Sequence, residues 1–210
     1  LSQLVTKCDP SFAPLLKEID PSLLESNEHV IYGLWPDMRL AYLNVGYWEF
    51  AQANRGRDIY GKWNLGSNLL EAISSPIRTY FASNYQRCLT EHCTWEHHYE
   101  CSSSRDFRKF QMTTYPLGKA EGLLIVHALS IEMPHDHRPW LPVEANYVTP
   151  NGRMLQCCHC RKFKRNQREV VWDWVPDWVD QQPVNCSHSL CEACFGFYYA
   201  GGGVEASAAG

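Results

Sequence analysis

The sequence has no long apolar run. Its longest, Gly122 to Ile131, is interrupted by His127 and is far too short to cross a bilayer, so no membrane insertion is expected. Basic charge is not in excess. Lys+Arg 19 stand against Asp+Glu 23, a net charge of -4, which gives no global attraction for nucleic acid or an anionic membrane. There is no G-x-S-x-G, no phosphate-binding glycine loop and no kinase, cyclase or nuclease signature. Glu91-His92-Cys93 and Glu96-His97-His98 are not spaced as catalytic sets, so the chain is not expected to be an enzyme; a Cys/His nucleophile pair stays open as the exception. No basic-then-apolar leader opens the sequence as it stands. It begins at Leu1, which leaves open whether the chain is part of a longer protein.

Cysteine and tryptophan are the residues in surplus, Cys 10 and Trp 8 in 210 residues. Six of the ten cysteines lie between Cys157 and Cys194, while Cys8, Cys88, Cys93 and Cys101 are scattered. A secreted disulfide scaffold spreads its cysteines through a small domain. Clustering in C-x-x-C pairs points instead to a metal site in a reducing compartment, and a cytoplasmic location is expected. Hydrophobic residues at 45% and charged residues at 20% fit a globular chain.

The chain reads as five segments. Residues 1–28 form an N-terminal helical lead-in, with Phe12, Leu15, Leu16 and Ile19 at helical spacing after Asp9-Pro10-Ser11. Residues 29–133 form one α+β domain. Val30–Trp35 and Arg39–Asn44 are strands around a Pro36-Asp37 turn, and glycine breaks at Gly56, Gly61 and Gly66 follow. A long helix starts near Ser75-Pro76. Trp95–Cys101, Phe107–Tyr115 and Leu123–Ile131 then alternate as three antiparallel strands. Residues 134–156, with Pro134, Pro139, Pro142 and Pro150, read as an extended linker. Residues 157–199 hold the cysteine pairs, and residues 200–210 read as a flexible Gly/Ala-rich tail.

The order strand, strand, short helices, long helix, three strands, together with Tyr42-Leu43-Asn44 and Asn44-Val45-Gly46-Tyr47, resembles a PAS domain over residues 29–133. The C-terminal segment resembles a short cysteine-rich module of bacterial PAS-containing signalling proteins, histidine kinases among them. Cys157-Cys158-His159-Cys160-Arg161-Lys162 matches its opening, Trp172, Val175, Trp178 and Val179 its middle, and Ser187-His188-Ser189-Leu190-Cys191-Glu192-Ala193-Cys194 its close. Ser189 stands where that module has Gly. The resemblance implies an antiparallel five-stranded PAS sheet with flanking helices, and a bacterial sensor or signal-transduction protein. It also implies a small-molecule ligand, a homodimer through the PAS unit and residues 12–26, and a downstream signalling protein or a missing output domain.

The two C-x-x-C pairs are separated by 30 residues. Each pair puts two thiolates on one knuckle-like turn, and two turns complete a tetrahedron around Zn²⁺. The expected ligands are Cys157, Cys160, Cys191 and Cys194, in a structural site with no open position. Cys158, His159 and Cys186 crowd it, and His188 is either a hydrogen-bond donor to a thiolate or an alternative ligand. Buried free cysteines, an iron–sulfur cluster and a redox switch of the two pairs remain alternatives. The basic run Arg161-Lys162-Phe163-Lys164-Arg165 raises a nucleic-acid reading, but residues 157–199 are balanced in charge, so nucleic acid is not expected as a partner. The PAS ligand is unknown. His127, on an apolar alternating face, is the one candidate for contacting it, and a hydrogen-bonded core histidine is the commoner case. Haem is disfavoured because His97 and His98 point to opposite faces of a strand. A flavin photosensor is disfavoured because Tyr47 to Asn64 contains no Cys.

Overall fold

The structure, a computed structural model, describes residues 5–25, 28–54, 62–135 and 142–199. Gly56, Gly61, Pro139 and the tail at 200–210 lie outside the described residues. The chain is α+β. A six-stranded antiparallel sheet comprises β1 (Lys7–Cys8), β2 (Val30–Leu34), β3 (Leu40–Leu43), β4 (Trp95–Glu100), β5 (Asp106–Leu117) and β6 (Gly122–Pro134), in the order β1-β3-β2-β6-β5-β4. Between β3 and β4 come α2 (Val45–Ala53) and α3 (Ser75–Glu91), and α1 (Pro21–Leu24) precedes β2. The sheet has one strand more than the five expected, because Lys7 and Cys8 pair with Leu43 and Tyr42.

Residues after β1 were expected to be helical from their apolar spacing. They form a 3-10 turn at Ala13–Leu16 and the four-residue α1 instead. Pro10, Pro14 and Pro21 each lack the N–H that a continuing helix would use. Phe12, Leu16 and Leu24 are nonetheless buried, against Ile31, Ala41 and Leu124. Phe12 meets Trp35 edge-on at 4.9 Å. Three apolar residues of the expected dimer seam are therefore spent inside this chain, while Leu23 is 63% exposed.

The local signals account for most of the other elements. Asn44 starts α2: its Oδ1 accepts from Tyr47 N and Ile31 N, both at 2.9 Å, and its Nδ2 donates to His29 O at 2.8 Å. Alternation sets β4, where Trp95 and His97 are buried and Glu96 and His98 exposed. β6 pairs antiparallel with β2 from Val30↔His127 to Leu34↔Leu123. The β5–β6 turn runs through Gly118 (φ 56) and Ala120 (φ 63).

Among the described residues the chain divides into two compact units. The first is built from Leu1–Ile73, Arg78–His98 and Gln111–Leu129, the second from Ser74–Ile77, Tyr99–Phe110 and Ser130–Gly210. The second unit contains a four-stranded sheet of β7 (Met154–Cys157), β8 (Phe163–Lys164), β9 (Trp172–Asp173) and β10 (Cys186–Ser189), ordered β10-β7-β8-β9. It also contains α4 (Pro176–Asp180) and α5 (Glu192–Tyr199). Its core is Tyr147, Met154, Phe163 and Val175, with Trp178 against them. Tyr147 and Met154 fall in the segment expected as a linker. Pro142 and Pro150 flank a 3-10 turn at Glu144–Asn146, and β7 follows Pro150.

Candidate metal centre

The opening cysteine pair sits on a closed turn at the end of β7. Arg161 N donates to Cys157 O at 3.0 Å, and Cys157 N donates to Lys162 O at 2.8 Å. Arg161 takes φ 60, a left-handed conformation that costs a side-chain-bearing residue about 1 kcal/mol. Gln156 Nε2 donates to Arg161 O at 3.2 Å, and Arg161 Nη1 donates to Ser102 O at 3.2 Å, so this strained residue is held at both ends.

The closing pair arrives by a different route. β10 lies parallel to β7, with Ser189 opposite Cys157, and Cys158 N donates to Ser189 O at 2.8 Å. Cys191 then stands just before α5, with Phe195 N donating to its carbonyl at 2.8 Å, and Cys194 falls in the helix's first turn. The unpaired N–H groups of a first helical turn favour negative charge, here thiolate sulfur. Cys191 N donates to Cys157 Sγ at 3.4 Å. Trp172 Nε1 donates to Glu192 Oε2 at 2.9 Å, tying β9 to the same helix start.

These two routes bring the four sulfur atoms of Cys157, Cys160, Cys191 and Cys194 within 4.8 Å of one another. A tetrahedron of thiolates around zinc, with Zn–S of about 2.3 Å, has edges of about 3.8 Å. Cys160 Sγ and Cys191 Sγ are 3.8 Å apart, far beyond the ~2.05 Å of a disulfide. Cys157, Cys191 and Cys194 are buried and Cys160 is partly buried.

The electrostatics fit a cation. Cys157 Sγ accepts from the Cys160 and Cys194 thiols and from Cys191 N–H, which holds its pKa far below the usual thiol range. The hydrogen bond to Cys157 pushes Cys160 up to about 12, and Cys194 is raised by its contacts with Cys157 and Cys160. A divalent ion held among these sulfurs would favour their thiolate forms. Four buried sulfur donors suit a soft or borderline metal ion.

The remaining candidates fall outside the quartet. His188 is exposed, with Nε2 3.0 Å from Gln182 Nε2. His159 places Nδ1 2.8 Å from Tyr198 OH and packs against Phe197, and burial lowers its pKa. Burial and the nearby Cys157 raise Cys158 to about 11. Cys186 Sγ donates to Ser187 O at 3.7 Å. The basic run is largely engaged. Arg165 forms a two-pronged pair with Asp173, which also accepts from Tyr147 OH, and Lys164 lies over the Trp172 ring. His127 is buried in the first unit, 3.0 Å from Tyr32 OH, the arrangement of a hydrogen-bonded core histidine.

The spacing of the cysteines announced the quartet. It gave no sign of the parallel β7–β10 ladder, the left-handed Arg161 or the Trp172–Glu192 link. Glu192, just after Cys191, carries the one local signal, an acid at a helix start.

The fold and the sulfur cluster together describe an α+β chain able to hold one metal ion in a closed four-cysteine site. No protein-family model, curated protein or solved structure gives a significant match to the chain.

Proposed function

We propose that this chain is a sensory or signal-transduction protein, in which a PAS-type α+β unit binds a small ligand or a partner and a structural zinc ion is held by Cys157, Cys160, Cys191 and Cys194. The observation that carries the reading is the convergence of the two C-x-x-C pairs, 30 residues apart, to within 4.8 Å. The element order after β1 supports the PAS part: two strands, intervening helices ending in the long α3, then three strands. That order is the one on which the sequence resemblance rests.

Zinc in such a site supplies cross-linking free energy, about 10 kcal/mol or more in comparable peptides. The chain does the rest. The turn closed by Arg161 N and Lys162 O presents the first pair, the start of α5 presents the second, and the Cys191 N–H steadies Cys157 sulfur. Four protein ligands leave no open position, so the site builds structure rather than performing hydrolysis. Signalling would be a shift between two packings of helix and sheet in the first unit, biased by whatever binds there. The output acts through a partner or a further domain. A homodimer, with Leu23 among its contacts, and a reducing cytoplasm complete the proposal.

Metal analysis of the purified chain tests it. The expected result is about one zinc per chain, lost together with structure in the second unit on chelation. Absence of metal, with a thiol count that changes with reductant, would transfer the site to a thiol switch. Salt-sensitive binding to DNA or RNA would favour a nucleic-acid module instead.

A further inference from the structure

The four cysteines of the quartet are not equally sheltered. Cys157 is fully buried, and Cys191 and Cys194 are nearly so at 7% and 8% exposed, while Cys160 is partly open to solvent. Trp172 and Leu190 pack against the cluster, which leaves Cys160 as the place where a small solute in water meets it. The sulfurs are not equally engaged either. Cys157 sulfur takes the Cys191 N–H at 3.4 Å. Cys160 sulfur stands 3.8 Å from Cys191 sulfur, a contact across the two pairs rather than within one.

We infer, on the zinc reading proposed above, that a hydroperoxide oxidises this site at Cys160 and closes a disulfide from Cys160 to Cys191, across the two C-x-x-C pairs, with release of the metal ion. Exposure decides where the reaction starts, and distance decides where it ends. Cys160 sulfur attacks one oxygen of hydrogen peroxide. The O–O bond breaks, the leaving hydroxide takes a proton from solvent as water, and Cys160 becomes a sulfenic acid. Cys191 sulfur then attacks Cys160 sulfur. The S–O bond breaks, the S–S bond forms, and the second hydroxide leaves as water with another solvent proton. Two electrons have passed from the two sulfurs to the peroxide. Cys157 and Cys194, now the only ligands left, take up two protons from solvent and give up the divalent ion. To form the bond, the two sulfurs close from 3.8 Å to about 2.05 Å. The bridge ties the turn after β7 to the chain just before α5, the same two places that the ion joins. A small thiol reopens it by exchange.

Peptide mass spectrometry on the full chain, with a zinc-sensitive dye in parallel, tests this. The chain is exposed to limiting hydrogen peroxide, its remaining thiols are alkylated, and it is digested with trypsin. Cleavage after Arg153 and Arg161 puts Cys157, Cys158 and Cys160 in one peptide, and cleavage after Arg168 puts Cys186, Cys191 and Cys194 in another. The expected product is these two peptides joined, with their other four cysteines alkylated and the bridge assigned by fragmentation to Cys160 and Cys191. Zinc release should keep pace with its formation, and a reducing thiol should return two separate, fully alkylated peptides. Cys158→Ser and Cys186→Ser, both outside the quartet, should give the same joined product. A bridge within either peptide, or a joined product assigned to any other two cysteines, would overturn the assignment. A chain that carries zinc and forms no joined product overturns it as well, and leaves the zinc reading standing. A chain that carries no zinc and still forms the Cys160–Cys191 bridge supports the bridge and overturns the zinc reading.

Discussion

At the scale of single residues, His127 couples the first unit to pH. Burial, with His97 nearby, lowers it from 6.5 to about 3. The unfolded chain therefore binds a proton between these values that the folded chain refuses. Stability is at its full value above 6.5 and is lost as pH falls toward about 3, by up to ~1.4 kcal/mol per pH unit. His127→Gln should remove this component. Between about pH 6.5 and 4.5, urea unfolding should show wild type losing about 2–3 kcal/mol more than the variant. Equal losses would show that His127 does not titrate in this way. The four metal-site cysteines were legible in the sequence because ligand spacing is a local property. Arg161 was not, because its φ of 60 is imposed by a turn that closes through Cys157 O and Lys162 O, and nothing in an arginine announces it.

At the scale of elements, the first unit depends on a close approach between β2 and the segment after β1. A Cβ placed on Gly33 would overlap the Phe12 ring, and one on Gly122 would lie 2.8 Å from Phe12 Cε2. Gly33→Ala should cost about 1–3 kcal/mol by overpacking. Phe12→Leu added to Gly33→Ala should recover part of that, a coupling a double-mutant cycle measures directly. A neutral Gly33→Ala would remove the argument. Strand β4 could be read from alternation, because one of its faces is buried; in β6 the expected single apolar face does not hold, since Leu123, Leu124 and Ile125 are all buried while Leu129 and Ile131 are exposed. β1 and β10 could not be read. Two residues carry no period, and the partners of Cys186–Ser189 lie some thirty residues away on β7. Helical spacing around Phe12 misled for a related reason: the side chains do share a buried side, but the prolines deny the backbone a helix.

At the scale of the whole molecule, two compact units carry separate cores, and only the second contains the sulfur quartet. A core as small as Tyr147, Met154, Phe163 and Val175 is marginal by itself. In hydrogen exchange followed by mass spectrometry, a chelator should abolish protection in β7, β8 and β10 and leave β2 and β6 protected. Protection lost evenly across both units, or retained in β7 and β10, would contradict this. The parallel ladder between β7 and β10 bears on birth as well as on stability. Its partners are far apart in the chain, and the closing sulfurs follow the later strand. On the ribosome, the opening pair therefore emerges well before anything can complete its coordination sphere. For that interval two bare thiols stand open to oxidants and stray metals, a hazard a reducing cytosol would suppress.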